Sequence, residues 1–391
     1  MPSVLVAGTN GKGSTAATLS SIATAAGLRT GLYTSPHLVD VTERIRIGED
    51  DMASEELDAA LGEVFAAADR APAVPVTYFE AMTAAAFAAF ARRGLDLAVF
   101  EVGLGGRMDA TNVAPASLSI VTSISLDHME DLGPTVEAIA FEKAGVFRAG
   151  RPALAASRLP QALGAFEEAA ARTGAELHKM LDETEITVEA AALDGTRFRL
   201  MTPEGRYDLA TPLPGLHQAE NAATAVRAAE LLSPEFRIGS EAVSRGVRSV
   251  RWPGRIERFL VRGKTVLLDG CHNADGAAAL AKFVAGARLR PDLVFAAMAD
   301  KDIESMGAAL APVMRRIQLV PAASRRTASP EELLRRFGGQ RPHTAAAPNL
   351  AAALEELLVD PSSETIIVAG SLYLVGEARS LLLSGRFSER P

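Results

Sequence analysis

The chain opens with a short unbroken apolar run at residues 4–7. A glycine-rich turn follows, then a helical stretch rich in Ala, Leu and Ile over residues 14–26. Further apolar runs at residues 30–34, 97–102 and 118–123 read as strands, and residues 77–93 and 135–144 read as helices. None of these strands alternates apolar with polar positions. Uniformly apolar strands separated by helices predict a parallel sheet covered on both faces. The pattern changes at residue 185. Alternating runs to about residue 211, with Asp194-Gly195 and Pro203-Glu204-Gly205 at the bends, predict a small antiparallel meander. A helix is expected over residues 218–232, and Trp252-Pro253-Gly254 reads as a hinge. Beyond it, strands at 265–268, 293–297, 317–320 and 365–369 are interleaved with helices at 275–286, 330–337 and 350–358. The expected division is residues 1–251 and 252–391, since 391 residues exceed what one core usually serves.

Composition narrows the class. Apolar residues make up 48% and charged residues 23%, an ordinary globular mixture, and the net charge is −8 with no long basic run. A nucleic-acid or anionic-membrane surface is therefore not expected. The apolar stretch at residues 81–91 is too short to span a bilayer. One cysteine, Cys271, excludes an intramolecular disulfide and a cysteine-rich zinc site. No basic-then-apolar leader opens the chain, so a cytoplasmic location is expected.

The strongest chemical signal is Gly8-Thr9-Asn10-Gly11-Lys12-Gly13-Ser14, entered from an apolar strand and leaving into a helix. Glycines let backbone N–H groups face inward, and the helix N-terminus adds positive potential, which together suit a phosphate. Lys12 would reach the β- and γ-phosphates and Ser14 could ligate magnesium. The match to the common phosphate-loop pattern is imperfect, because Val6 stands at the first glycine position and Gly13 follows Lys12. The alternative is a glycine-rich turn with a surface lysine.

Several further residues sit at strand ends, where open parallel sheets collect ligands. Glu101 ends an apolar strand and suits magnesium, or else pairs with Arg107. His128, beside Asp127, is either a metal ligand or a structural histidine. Lys143 lies inside an apolar helical segment. Such a lysine is paired, shifted in pKa or modified, unless it snorkels to the surface. Ser35, in Thr-Ser-Pro, is a second candidate hydroxyl ligand or simply part of a turn.

In this order and spacing, GTNGKGS, YTSPH, ERI, EVGLGGRMDATN, SLDH, EKAG, LPGLHQAEN, PGRIE, LDGCHN, DKD and GSLYL resemble the folylpolyglutamate synthase and dihydrofolate synthase family of Mur-type ligases. The matches run over nearly the whole chain. The resemblance implies an N-terminal phosphate-loop ATPase domain, a C-terminal Rossmann-like α/β domain and ATP held in the cleft between them. It implies two magnesium ions, with Ser14, Ser35, Glu101 and His128 as ligands and Lys143 as the family's carbamylated lysine. Thr9, Asn10, Gly11, Lys12, Gly13 and Ser14 would hold the triphosphate, and Asn221, Arg255 and Asp269 would also contact nucleotide. Thr77, Phe79, Glu80, Met108, Asp109 and Ala110 look like the segments that contact dihydropteroate, while His272, Ser371 and Tyr373 would complete the amino-acid side. Family members usually carry a helical segment ahead of the first strand that contributes to the pterin pocket, whereas residue 1 of this sequence stands just before that strand.

The implied activity is ATP-dependent addition of glutamate to dihydropteroate, and to folates in polyglutamylation, through an acyl phosphate. Lys12, Glu101, His128 and Lys143 would carry the catalysis. The expected partners are small molecules alone, with the protein a monomer. Competing readings are another Mur-type amino-acid ligase and a slow ATPase switch.

Overall fold

The computed structural model describes residues 1–324, 326–337 and 343–387, and these fall into two compact units. The first comprises Met1–Glu189, Arg197–Pro212 and His217–Arg251; the second comprises Ala190–Thr196, Leu213–Leu216 and Trp252–Pro391.

The strands of the first unit's main sheet are β1 (Ser3–Ala7), β2 (Thr30–Tyr33), β3 (Ile45–Ile47), β4 (Asp50–Asp51), β5 (Leu97–Glu101), β6 (Ala116–Val121), β7 (Pro152–Ala155) and β8 (Glu176–Lys179). They lie in the order β4-β3-β2-β5-β1-β6-β7-β8. Pairing is parallel from β2 across to β8, whereas β3 and β4 form an antiparallel edge that periodicity did not reveal. The helices are α1 (Lys12–Ala25), α2 (Ser54–Ala68), α3 (Tyr78–Arg93), α4 (Met129–Leu132), α5 (Val136–Ala144), α6 (Pro160–Thr173) and α7 (Met180–Glu183). The meander is β9 (Glu185–Ala192), β10 (Gly195–Thr202) and β11 (Gly205–Thr211), ordered β11-β10-β9. The first unit ends with α8 (Leu216–Phe236) and α9 (Ser240–Ser249).

The central strands β1, β2, β5 and β6 are buried along their whole length, as apolar runs covered on both faces require, while the edge strands β4 and β8 are exposed or half-buried. Phe100 of β5 stacks on Phe87 of α3 at 4.5 Å and meets Phe90 and Tyr33 at 5.6 and 6.1 Å. Local signals set the helix ends. Thr77 and Glu80 form a reciprocal capping box before α3, which stops at Gly94 with φ 56°. Thr135 caps α5. Helix α6 escaped the sequence reading because its buried face is mostly small: Ala162, Ala165, Phe166, Ala169 and Ala170.

The second unit contains β12 (Arg255–Val261), β13 (Lys264–Asp269), α10 (Ala274–Gly286), β14 (Asp292–Phe295), α11 (Ile303–Leu310), β15 (Arg316–Leu319), α12 (Pro330–Arg336), β16 (Thr344–Ala346), α13 (Leu350–Val359), β17 (Thr365–Ala369) and α14 (Leu372–Leu383). Its sheet runs β12-β13-β17-β14-β15-β16, parallel except for the β12–β13 hairpin. Among the described residues, no helix is long and apolar enough to cross a membrane.

Helix α1 is gripped from behind by α9. Ser21 Oγ donates to the Gly246 carbonyl at 2.8 Å, and a Cβ on Gly246 would come within 2.3 Å of the Ile22 Cα. Gly246→Val should therefore force α9 off α1 and lower the unfolding free energy by about 1–3 kcal/mol. The check is a fall in the denaturant midpoint with an unchanged slope; an unshifted midpoint would refute the packing argument.

Candidate active site

The C-terminal ends of β1, β2, β5 and β6 lie along one edge of the first sheet, so the loops that leave them share that edge. The loop after β1 is the glycine-rich one. Gly8 and Gly11 have φ of 140° and 87°, a region L side chains avoid. Neither position has room for a Cβ, which would lie 1.9 Å from Thr122 Oγ1 at Gly8 and 2.3 Å from Asn221 Oδ1 at Gly11. Gly11 also serves as the N-cap of α1, and Gly13 and Ser14 are buried in that helix's first turn. Lys12 Nζ donates to the carbonyls of Gly8 and Thr9, both at 3.0 Å, so its ammonium sits within the loop's own curve and not on an extended surface stem. The Thr9 N–H donates to the Ser123 carbonyl at 2.8 Å. Asn221 Nδ2 donates to Gln218 Oε1 at 3.0 Å, which fixes its amide against Gly11.

Glu101 closes β5 and is buried. It accepts the Ser35 N–H at 3.2 Å, so the loop after β2 and the acid of β5 meet. The alternative pairing with Arg107 does not occur. Arg107 binds Glu142 instead, with Nη2 to Oε1 at 2.9 Å. His128 has φ 52° and heads the short α4; its N–H donates to Asp127 Oδ1 at 2.9 Å and its Nε2 lies 3.9 Å from the same oxygen. The imidazole is exposed while the Asp127 carboxyl is buried.

Lys143 is buried and does not snorkel. Burial and then the Lys12 charge lower its ammonium from the usual lysine range to about 7, against partial support from Asp127 and Asp109. The turn carrying it is clamped onto the loop after β5. A Cβ on Gly106 would lie 2.6 Å from the Lys143 carbonyl oxygen, and one on Gly145 would lie 2.3 Å from Arg107 Cβ. The Arg107 N–H donates to the Glu142 carbonyl at 3.0 Å, and Asn112 Nδ2 donates to the Arg107 and Gly145 carbonyls.

Among the described residues, no three His, Cys, Asp or Glu side chains gather as a metal site. The donors present are the buried Glu101 carboxylate, the His128 imidazole with the buried Asp127 carboxyl beside it, and nearby hydroxyls. That set fits a magnesium ion, which keeps several water or phosphate ligands and takes few from protein.

A cavity of about 440 Å³ lies beside this edge, within the usual range for small-molecule sites. It brings together Thr77, Phe79, Glu80, Met108, Asp109 and Ala110, the residues that motif matching set aside for substrate. It adds Leu104, Arg107, Asp131, Leu132 and Glu142, which sequence reasoning did not assign to substrate: the first two and Glu142 lie within the EVGLGGRMDATN and EKAG motifs, whereas Asp131 and Leu132 carry no motif signal. Several of these side chains have structural tasks. Thr77 and Glu80 cap α3 through each other, with Oγ1 to Oε2 at 2.7 Å. Asp109 Oδ2 accepts the N–H groups of Gly103 and Leu104, both at 3.0 Å, and Oδ1 accepts the N–H and hydroxyl of Thr111 at 2.9 and 2.6 Å. Its carboxylate thus folds the loop. Phe79 lies 6.1 Å from Tyr33, whose buried phenol is pushed up to about 12 chiefly by burial. Met108 is 82% exposed and offers apolar surface at the cavity.

In the second unit Arg255 begins β12 and its Nη1 donates to the Gly254 carbonyl at 3.0 Å. Asp269 ends β13, buried, and accepts the N–H groups of Ile256 and Cys271 at 3.1 and 3.0 Å. His272 Nδ1 lies 3.0 Å from the Gly270 carbonyl oxygen. Ser371 caps α14 by accepting the Tyr373 N–H at 3.2 Å, and Tyr373 is exposed.

Comparison with known sequences and structures gives a consistent result. The Mur ligase middle domain profile matches residues 6–229 and the Mur ligase glutamate ligase domain profile matches residues 254–372. The dihydrofolate synthase/folylpolyglutamate synthase of Bacillus subtilis (strain 168) is 36% identical over 96% of this chain and 89% of its own. The protein of the same name from Mycobacterium tuberculosis is 35% identical over 97% of this chain and 86% of its own. A solved structure of E. coli FolC in complex with DHPP and ADP superposes with a TM-score of 0.88 at 33% identity, covering 98% of this chain and 89% of that one. A bifunctional folylpolyglutamate synthase/dihydrofolate synthase with Mn, AMPPNP and L-glutamate bound gives 0.86 at 30% identity, over 98% and 89%.

Gly11→Ala places a methyl group against Asn221 and strains φ, so nucleotide affinity should fall about tenfold or more. Titration with ADP reads this directly; unchanged affinity would show that the loop geometry does not bear on nucleotide.

Proposed function

The chain belongs to the Mur ligase family, and we propose that it is an ATP-dependent ligase adding glutamate to dihydropteroate and to the γ-carboxylate of folates. The observation that carries the substrate reading is the cavity holding Phe79, Met108 and Asp109 on the same sheet edge as the Gly8–Ser14 turn. Phe79, Leu104, Met108 and Leu132 supply apolar surface, and Asp131 and the other acids a negative field. That chemistry suits a flat ring bearing N–H donors.

The substrate carboxylate oxygen attacks the γ-phosphorus of ATP, and the bond to the bridging oxygen breaks to release ADP. The glutamate amine then attacks the acyl carbon, loses its proton, and phosphate leaves. Phosphoryl transfer depends mainly on positioning and charge stabilisation. Lys12 sits within the loop to neutralise the β- and γ-phosphates, and backbone N–H groups of residues 10–14 hold the triphosphate. Ser14, Ser35, Glu101 and His128 would hold magnesium, which supplies charge stabilisation at the transferring group. Lys143 as a carbamate would add an anion to that set. Asn221 would contribute to the nucleotide site from α8; Arg255 and Asp269 are proposed for nucleotide recognition, and His272, Ser371 and Tyr373 for amino-acid recognition, on their motif positions alone.

Purified protein supplied with ATP and magnesium should release ADP only when both dihydropteroate and glutamate are present, and replacing dihydropteroate by a folate should sustain a second ligase activity. Substrate-independent ADP release would sink this reading.

A lysine must be neutral to react with CO2, and carbamate formation releases one proton. With the Lys143 ammonium lowered to about 7, the amine is protonated below that pH and available above it. The carbamate signal from 13C-labelled bicarbonate should therefore rise through about pH 7 and be missing in Lys143→Ala, whose lost turnover short carboxylates should partly restore. Full activity in Lys143→Ala would rule the role out.

A further inference from the structure

The loop that holds the triphosphate in the reading above does not shape itself; the end of β6 shapes it. Thr122 Oγ1 lies 2.7 Å from the Asn10 carbonyl oxygen, and Ser123 Oγ donates to the same oxygen at 3.1 Å. Asn10 and Ser123 form an isolated antiparallel bridge, flanked by Thr9 N–H to the Ser123 carbonyl at 2.8 Å and Thr122 N–H to the Ala7 carbonyl at 2.9 Å. The latch continues one step further. Ser125 donates its N–H to Thr9 Oγ1 at 3.2 Å and accepts the Asn10 amide on its hydroxyl at 3.4 Å.

These contacts decide where the loop's donors point. In a planar trans peptide the C=O and the following N–H face opposite ways. With the Asn10 oxygen held against β6 by two hydroxyls, the Gly11 N–H is turned away from β6. The same Thr122 hydroxyl occupies the space a Cβ on Gly8 would need, 1.9 Å away, so it also sets the bend at the loop's entry.

We infer that Thr122 and Ser123 are positioning residues for nucleotide binding, acting through the Asn10 carbonyl to orient the phosphate-facing backbone of residues 10–11. Neither belongs to the residues that motif matching assigned. The inference rests on that loop being the triphosphate site, and the test separates the two.

Full-length Thr122→Ala, Thr122→Ser, Ser123→Ala and Lys12→Ala variants are titrated with AMPPNP, and ATP, glutamate and dihydropteroate dependence of turnover is measured. Losing one hydroxyl on this carbonyl should weaken AMPPNP binding and raise the KM for ATP about tenfold. The KM for glutamate should not move, which a general loosening of the fold would not spare. Thr122→Ser keeps the hydroxyl and should stay within about twofold of the wild type. Ser123 is exposed, so Ser123→Ala tests the second bond to the same carbonyl if Thr122→Ala does not fold. Unchanged AMPPNP binding in Thr122→Ala and Ser123→Ala, with a loss in Lys12→Ala, overturns the positioning role and leaves the triphosphate site standing. Unchanged binding in all of them overturns both.

Discussion

The first unit depends on a backbone that has nowhere to move at residues 8–11. Two glycines adopt φ values closed to other residues, and the space beside them is taken by Thr122 on one side and Asn221 on the other. β1 delivers the chain into this bend, α1 carries it away, and α9 holds α1 from behind through Gly246. A strand, two helices and a neighbouring strand end therefore share one geometric demand. The ordering entropy of the loop is met during folding, which leaves less of it to oppose nucleotide binding.

A second rigid joint lies across the same edge. Gly106 and Gly145 let the loop after β5 press against the turn that carries Lys143, and Asn112 ties the two with hydrogen bonds to carbonyls on both sides. The cavity wall and the turn that carries the buried lysine are thus tied directly to each other. Position 106 requires glycine because a side chain there would strike the main chain of Glu142 and Lys143, which cannot yield as a rotamer can.

Much of the fold was legible in apolar runs without alternation, and the phosphate loop in the order of strand, glycines, lysine and helix. What escaped was information carried by shape. Helix α6 buries four alanines and one phenylalanine, a face too weakly apolar to stand out. The partner of Arg107 turned out to be Glu142, 35 residues on, because packing of the loop on α5 decides it and sequence proximity to Glu101 does not. Thr77, Glu80 and Asp109 were read only as substrate contacts, while their oxygens cap a helix and fold a loop. The Thr122–Ser125 hydroxyls look like any polar strand end until the distances to Asn10 are seen.

The aromatic run from the half-buried Phe87 through the fully buried Phe100 and Tyr33 to Phe79 crosses the core and ends at the cavity. One wall of the pocket is thus an outcrop of the hydrophobic interior. Remodelling that wall would cost the protein its stability before it altered the preferred ligand. Met108, by contrast, stands exposed on a loop whose shape Asp109 secures through the N–H groups of Gly103, Leu104 and Thr111 and the Thr111 hydroxyl, so a changed side chain at 108 would alter the cavity's surface without disturbing the core.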